Sequence, residues 1–347
     1  MAAAVGVAAC GDTGPSERAG LPDASRRVPV AADPADPSEP AGLDSPTIQA
    51  LPNALEPLVT PTYDGTGQAV EPTVLSFARP WRGHRYWMAV SAYPFGDDEH
   101  EDPSILASDD GLAWSVPEGL ANPLVRPRRG HLADATLVYD DASDALWVYY
   151  LDEAKVDGIN FESLDRVTSA DGVRWSAPEP VLAGELYPLL SPSVVKRGRL
   201  FTMWTVDGGL VGCGSRDTTL TERTSLDGLH WSDPQPVAIS QPGYVLWHVN
   251  MTAVPETGHV LAAISAFPRG RNCNRTRLFL ADSDGASWET FGDALLSPGR
   301  GWDDEQIYRS SPLYDAGKDT LRLWYSARSA RTNAWHIGYT EGKLSVP

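Results

Sequence analysis

Ser108-Asp109-Asp110-Gly111-Leu112-Ala113-Trp114 returns as Ser169-Ala170-Asp171-Gly172-Val173-Arg174-Trp175 and again as Ser225-Leu226-Asp227-Gly228-Leu229-His230-Trp231. A fourth copy, Asp282-Ser283-Asp284-Gly285-Ala286-Ser287-Trp288, begins with Asp in place of Ser. The tryptophans are spaced 61, 56 and 57 residues apart. Self-similarity at a nearly fixed period of this size marks a propeller or another array. Asp-Gly supplies a tight hairpin turn, with Gly taking positive φ. The Ser or Asp side chain can bond the backbone N–H groups of the turn, and the Trp can pack between neighbouring sheets. The phrase therefore reads as a staple of the fold and not as a reactive site.

Working outward, each phrase is preceded by a short apolar run rich in aromatic and β-branched residues and bounded by Gly, Asp or Pro, the pattern of a strand. Five such second strands occur: Tyr86–Tyr93, Leu146–Leu151, Leu200–Val206, Val260–Phe267 and Leu321–Ala327. Five second strands against four turn phrases predict five blades with an incomplete last one. Its third strand, Trp335–Tyr339, runs into Thr340-Glu341-Gly342, a degenerate copy of the turn. Pro57-Leu58-Val59-Thr60-Pro61 matches Pro123-Leu124-Val125-Arg126-Pro127 in the fourth-strand position of blade one. The expected fold is thus an all-β, five-bladed β-propeller over residues 51–347, its ring closed by an N-terminal strand near 55–61 that completes blade five. Closure leaves no unpaired sheet edge.

A chain of 347 residues can bury a sizeable core, and the repeats argue for one domain. The formal charge of −18 disfavours nucleic acid and anionic membrane surfaces as partners, and repels a polyanion unless a local basic pocket overrides it. Residues 1–10, ending Val7-Ala8-Ala9-Cys10, resemble a bacterial lipoprotein signal with Cys10 as the lipidated residue, although a positive n-region is lacking. Residues 11–50, rich in Ala, Pro, Asp, Ser and Gly, read as a flexible tether. These features imply an exported monomer on the extracellular face of a membrane, held there by lipid alone or secreted. Cys213 and Cys273 fall in equivalent loops of neighbouring blades three and four, which favours a disulfide over two free thiols.

In a propeller the first strands line the central channel, and their entries share a face with the loops from second to third strands. The entries carry Glu71-Pro72, then His131 and Asp134, Ser191-Pro192-Ser193, Trp247-His248-Val249-Asn250 and Tyr308-Arg309-Ser310-Ser311. Five blades placing polar groups on one funnel is the main functional signal. Among the loops, Asp97, Asp98 and Glu99 read as solvated, whereas Glu101, just before a strand, is expected to face the funnel. Asp152 and Glu153 on one side, with Arg269, Arg271, Arg328 and Arg331 on the other, suit a hydroxyl-rich ligand, with or without one acidic group. Glycoside hydrolysis needs two carboxyl groups, or an acid and a base, flanking the scissile bond. Glu71 and Asp134 could be that pair, Glu101 is a third candidate, and His248 is the non-carboxylate proton donor. His131, Ser193, Trp247, Asn250, Arg309 and Ser310 are the expected sugar contacts. Some five-bladed propellers hold an ion in the channel, but no ligand set here has a diagnostic spacing, so no metal is assigned, and no cofactor is expected.

Over residues 55–347 the chain resembles the five-bladed propeller glycosidases, the arabinanase, xylosidase and invertase group of families. The resemblance rests on the blade count, the Ser-x-Asp-Gly-x-x-Trp turns and the polar first-strand entries. It implies that Glu71-Pro72 stands where those families carry an Asp-Pro with the catalytic base. It also implies that Ala133-Asp134 matches their second-blade acidic motif. Ser191-Pro192-Ser193 departs from their third-blade Asp-Pro-Ser, and His248 stands in the region of their general-acid Glu. The turns also resemble sialidase Asp-boxes, which have one more residue between Asp and Gly and usually six blades. The expected function is hydrolysis of a polysaccharide or oligosaccharide by acid/base residues in the funnel. The alternative is a surface lipoprotein that binds carbohydrate without cleaving it.

Overall fold

The computed structural model describes residues 49–128 and 130–344. Cys10 and nearly all of the expected tether lie outside the described residues. Five antiparallel sheets follow one another along the chain. Blade one holds β1 (Ala69–Trp81), β2 (His84–Ala92) and β3 (Pro103–Ser108). Blade two holds β4 (His131–Asp140), β5 (Ala145–Val156), β6 (Ile159–Ser169) and β7 (Glu179–Glu185). Blade three holds β8 (Leu190–Arg197), β9 (Leu200–Asp207), β10 (Thr219–Ser225) and β11 (Gln235–Pro236). Blade four holds β12 (Tyr244–Val254), β13 (His259–Pro268), β14 (Arg277–Ser283) and β15 (Trp288–Thr290). Blade five holds β16 (Gln306–Asp315), β17 (Thr320–Arg328) and β18 (Trp335–Lys343). The first strands β1, β4, β8, β12 and β16 lie against one another in that order, and β16 returns to β1. The fold is a five-bladed β-propeller.

The core is divided among the blade interfaces. The seam between blades five and one buries Val74, Met88, Val90 and Leu106 with Trp324 and Ile337, and the other four seams are built likewise. The repeated turn latches each seam. In blade two the Gly172 N–H donates to Ser169 Oγ, and the N–H groups of Val173 and Arg174 donate to Asp171 Oδ1. Gly172 lies at φ +76°, and a Cβ there would come within 2.3 Å of the Trp87 ring of the preceding blade. Glycine is needed both for the backbone conformation and for that close approach. In blade one the Trp324 indole of blade five donates to Gly111 O. In blade four the leading Asp282 does not cap its turn: Ser283 accepts from Gly285 N–H, while Asp282 pairs with His259.

The ring closes differently from expectation. Residues 51–61 form no strand. Leu58 donates to Ile337 O, as Leu124 donates to Pro103 O in blade one, so the two Pro-Leu-Val segments occupy matching places as irregular chain. The prolines account for this, since each removes a ladder donor. Thr340-Glu341-Gly342 is no turn either: it continues β18 and pairs with Leu321–Leu323 of β17. Cys213 and Cys273 form a disulfide between the loops of blades three and four.

Candidate active site

Each first strand carries a register irregularity at its entry: between Val70 and Thr73, Ala133 and Thr136, Leu190 and Ser193, Leu246 and His248, and Ile307 and Ser310. The residues inside the first three bulges, Glu71, Asp134 and Ser191, have φ of 60°, 56° and 53°. Left-handed backbone at a non-glycine residue costs about 1–2 kcal/mol. Bulges re-aim side chains and cluster beside functional sites. Here they turn equivalent residues of successive blades towards the channel and along it to the next blade. Asp134 N–H donates to Glu71 Oε2 and Ser191 N–H donates to Asp134 Oδ2, each at 2.7 Å, and Val249 N–H donates to Ser191 Oγ. Ser191 thus completes a stapling belt, which a shorter side chain can do because its hydroxyl also donates to Val249 O.

At the floor of the funnel Glu71, Asp134 and His248 converge, each at most 3% exposed. One donor atom from each lies within 4.8 Å of the others, and among the described residues this is the one such cluster of His, Cys, Asp and Glu. The Tyr308 hydroxyl holds His248 Nε2 at 2.6 Å. That leaves Nδ1 facing Asp134 Oδ1 at 3.1 Å, buried beside the carboxylate. Two carboxylates and an imidazole converging in this way form a donor set suited to a divalent ion.

The electrostatics separate the two carboxyl groups. Burial alone would raise Asp134, yet His248 and Arg309 beside it hold its carboxyl well below the usual range. Glu71 goes the other way, pushed up by burial and by the charge of Asp134. Glu101, 7% exposed, is pushed up by burial and by Glu71 and Asp134, and its carboxylate makes no hydrogen bond among the described residues. Tyr308 is likewise held protonated by burial and by the two carboxylates, so its hydroxyl is a donor. Several acidic groups buried together attract either protons or a cation.

Of the expected sugar contacts, Trp247 and His131 border the acidic funnel. Trp247 donates to Tyr308 Oη at 3.3 Å, and His131 Nε2 lies 3.9 Å from Glu153. The others are committed inside the wall. Arg309, fully buried, spans the channel to Asp134, Ala135 O and Pro192 O. Ser193 caps Met251 N–H, Asn250 donates to Pro72 O, and Ser310 donates to Tyr308 O. Tyr308 itself was within the quoted entry of blade five, but the bulge decides which of two adjacent residues reaches the funnel. Alternation alone could not tell Tyr308 from Arg309.

No protein-family model matches the chain. It is 32% identical over 378 aligned positions to the A type blood N-acetyl-α-D-galactosamine deacetylase of Flavonifractor plautii, covering 94% of this chain and 48% of that protein. The chain therefore spans about half the length of that relative. Among solved structures it resembles an N-acetylgalactosamine deacetylase from F. plautii in complex with blood group B trisaccharide. That match has a TM-score of 0.71 at 28% identity, over 86% of this chain and 94% of the other. The catalytic domain of the Coprinopsis cinerea GH62 α-L-arabinofuranosidase gives a TM-score of 0.60 at 14% identity, over 85% and 98% of the two chains. A xylan β-1,4-xylosidase from Bacillus halodurans gives 0.59 at 14%, over 84% and 54%. These last two share the fold.

Proposed function

We propose that this chain is a carbohydrate deacetylase, which hydrolyses the N-acetyl group of an amino sugar seated in the funnel. The observation that carries the reading is the buried convergence of Glu71, Asp134 and His248 at the floor of the funnel. A glycosidase sets two carboxyl groups astride a glycosidic oxygen, about 5–5.5 Å or 6.5–9.5 Å apart. Here Asp134 is engaged by Ser191 N–H and Arg309, and Glu71 by Asp134 N–H, so neither is free to flank a sugar ring. The likeness to a named deacetylase along nearly the whole chain supports the same reading.

Glu71, Asp134 and His248 would hold a divalent cation, which when bound supplies Lewis-acid polarisation of the acetyl carbonyl and of water. Tyr308, kept protonated, donates to the oxygen that gains charge as water adds to the carbonyl carbon. Glu101, uncommitted and facing the same floor, takes the proton from that water and returns it to the nitrogen as the C–N bond breaks. Acetate and a free amine leave. Trp247 and His131 border the sugar. The carbohydrate is the partner, and we further propose that the chain works outside the cell, lipid-anchored through Cys10.

Residues 49–347 with a neutral N-acetylgalactosamine-terminated trisaccharide provide the test. Acetate release that a chelator stops and a divalent cation restores is the expected result, and Glu101→Gln should lower kcat about 10²–10⁴-fold. Release of reducing sugar or of a chromogenic aglycone without acetate would sink the deacetylase and favour the glycosidase. Sugar binding with neither product would favour a binding lipoprotein.

A further inference from the structure

A second cavity, about 430 Å³, opens between blades four and five and is lined by Arg271, Arg275, Arg277, Pro268, Pro298, Asp304 and Glu305. We propose that it is an anion subsite, which takes a carboxylate or sulfate carried by the glycan whose amino sugar occupies the funnel. The proposal rests on the funnel being a sugar site. The volume lies in the range of small-ligand pockets.

Three observations support it. First, the charge is real and unspent. No side-chain hydrogen bond or ion pair engages Arg271, Arg275 or Arg277 among the described residues. The two lining carboxylates are balanced from outside the cavity, Glu305 by Arg328 at 3.3 Å and Asp304 by Arg331 at 3.7 Å. On a chain of formal charge −18, such a cluster is a local reversal of the field, and guanidinium groups are the donors best matched to carboxylate and sulfate.

Second, the loop that carries the arginines is held at several points. Cys273 is tied to Cys213, its carbonyl accepts from Gln306 Nε2, and Thr276 both donates to Ile307 O and accepts from Ile307 N–H. Pre-organisation of this kind lowers the ordering cost of binding. Third, the cavity is on the funnel's own face. Pro268 pairs with Tyr244, three residues before Trp247, and Glu305 precedes β16, which carries Tyr308. Both sites therefore open at the same ends of β12 and β16.

The test is calorimetric binding of three probes to the full chain: chondroitin 4-sulfate tetrasaccharide, unsulfated chondroitin tetrasaccharide and a neutral N-acetylgalactosamine-terminated trisaccharide. At least one anionic probe should bind about tenfold or more tightly than the neutral one, and its affinity should fall with salt. Tight binding of both assigns the carboxylate, and of the sulfated probe alone the sulfate. Arg271→Gln/Arg275→Gln/Arg277→Gln should abolish the advantage. Arg79→Gln/Arg85→Gln/Arg199→Gln changes the net charge equally and should retain it, with both folds checked by circular dichroism. Anionic probes no tighter than the neutral one, or equal loss in both triple variants, would overturn the proposal. Failure of the deacetylase reading shows separately, as no acetate from the neutral trisaccharide.

Discussion

Glu162 of β6 is 1% exposed and sits opposite Glu153 of β5. Its Oε2 accepts from Leu189 N–H at 2.7 Å, while its Oε1 has no partner. Burial, followed by the charge of Glu153, pushes the carboxyl up from 4.5 to about 9. A group whose pKa is raised by folding stabilises the fold fully below its unfolded value, and that contribution is lost as pH rises towards the folded value. Each pH unit between 4.5 and 9 therefore removes about 1.4 kcal/mol. Glu162→Gln ends this loss. It can still accept from Leu189 N–H, and an amide group left without an acceptor costs about 1 kcal/mol. The variant should be close to wild type in stability at pH 5.5 and about 3–4 kcal/mol more stable at pH 8. Urea unfolding followed by tryptophan fluorescence at the two pH values measures the difference, in which the titrations of groups remote from Glu162 cancel. A gap between variant and wild type that stays the same at both values would refute the reasoning.

Further expectations concern the staples and the channel. Gly172→Ala adds a Cβ 2.3 Å from the Trp87 ring at φ +76°, whereas Gly285→Ala at φ +93° meets open space. The first should lose about 2–5 kcal/mol and the second about 1–2 in chemical denaturation. The disulfide closes a separation of 60 residues, so Cys273→Ser should cost about 2–4 kcal/mol, with a similar fall in melting temperature on adding reductant to wild type. Asp134→Asn can still accept from Ser191 N–H but leaves buried Arg309 without its carboxylate. A loss of about 3–5 kcal/mol, together with loss of any bound divalent ion by elemental analysis, is expected.

The blade count, the five second strands and the latch turns were legible because each is local. A turn phrase needs only its own Ser, Asp and Gly, and a strand needs only its alternation. The same locality misled at the seam, where Pro57–Pro61 copies a fourth-strand position that proves to be irregular chain in blade one as well. Glu71, Asp134 and His248 could be named in advance because the repeat places them at equivalent entries. Their convergence within 4.8 Å could not, since residues so far apart in the chain carry no spacing signature.

The bulges mark the limit most clearly. They rotate Glu71, Asp134 and Ser191 into a belt and decide that Tyr308 faces the funnel while Arg309 fills the channel, and a register shift leaves no trace in composition or period. The pKa separation of Glu71 and Asp134 is likewise a property of burial and of neighbours brought from four blades. The cationic cavity follows the same rule: three arginines near one cysteine are visible in the chain, but only the pairing of Asp304 and Glu305 with Arg331 and Arg328 leaves their charge unspent. The repeat, a periodic property of the chain itself, is therefore enough to specify the scaffold. The chemistry depends on distances across the ring, which only the closed set of five blades defines.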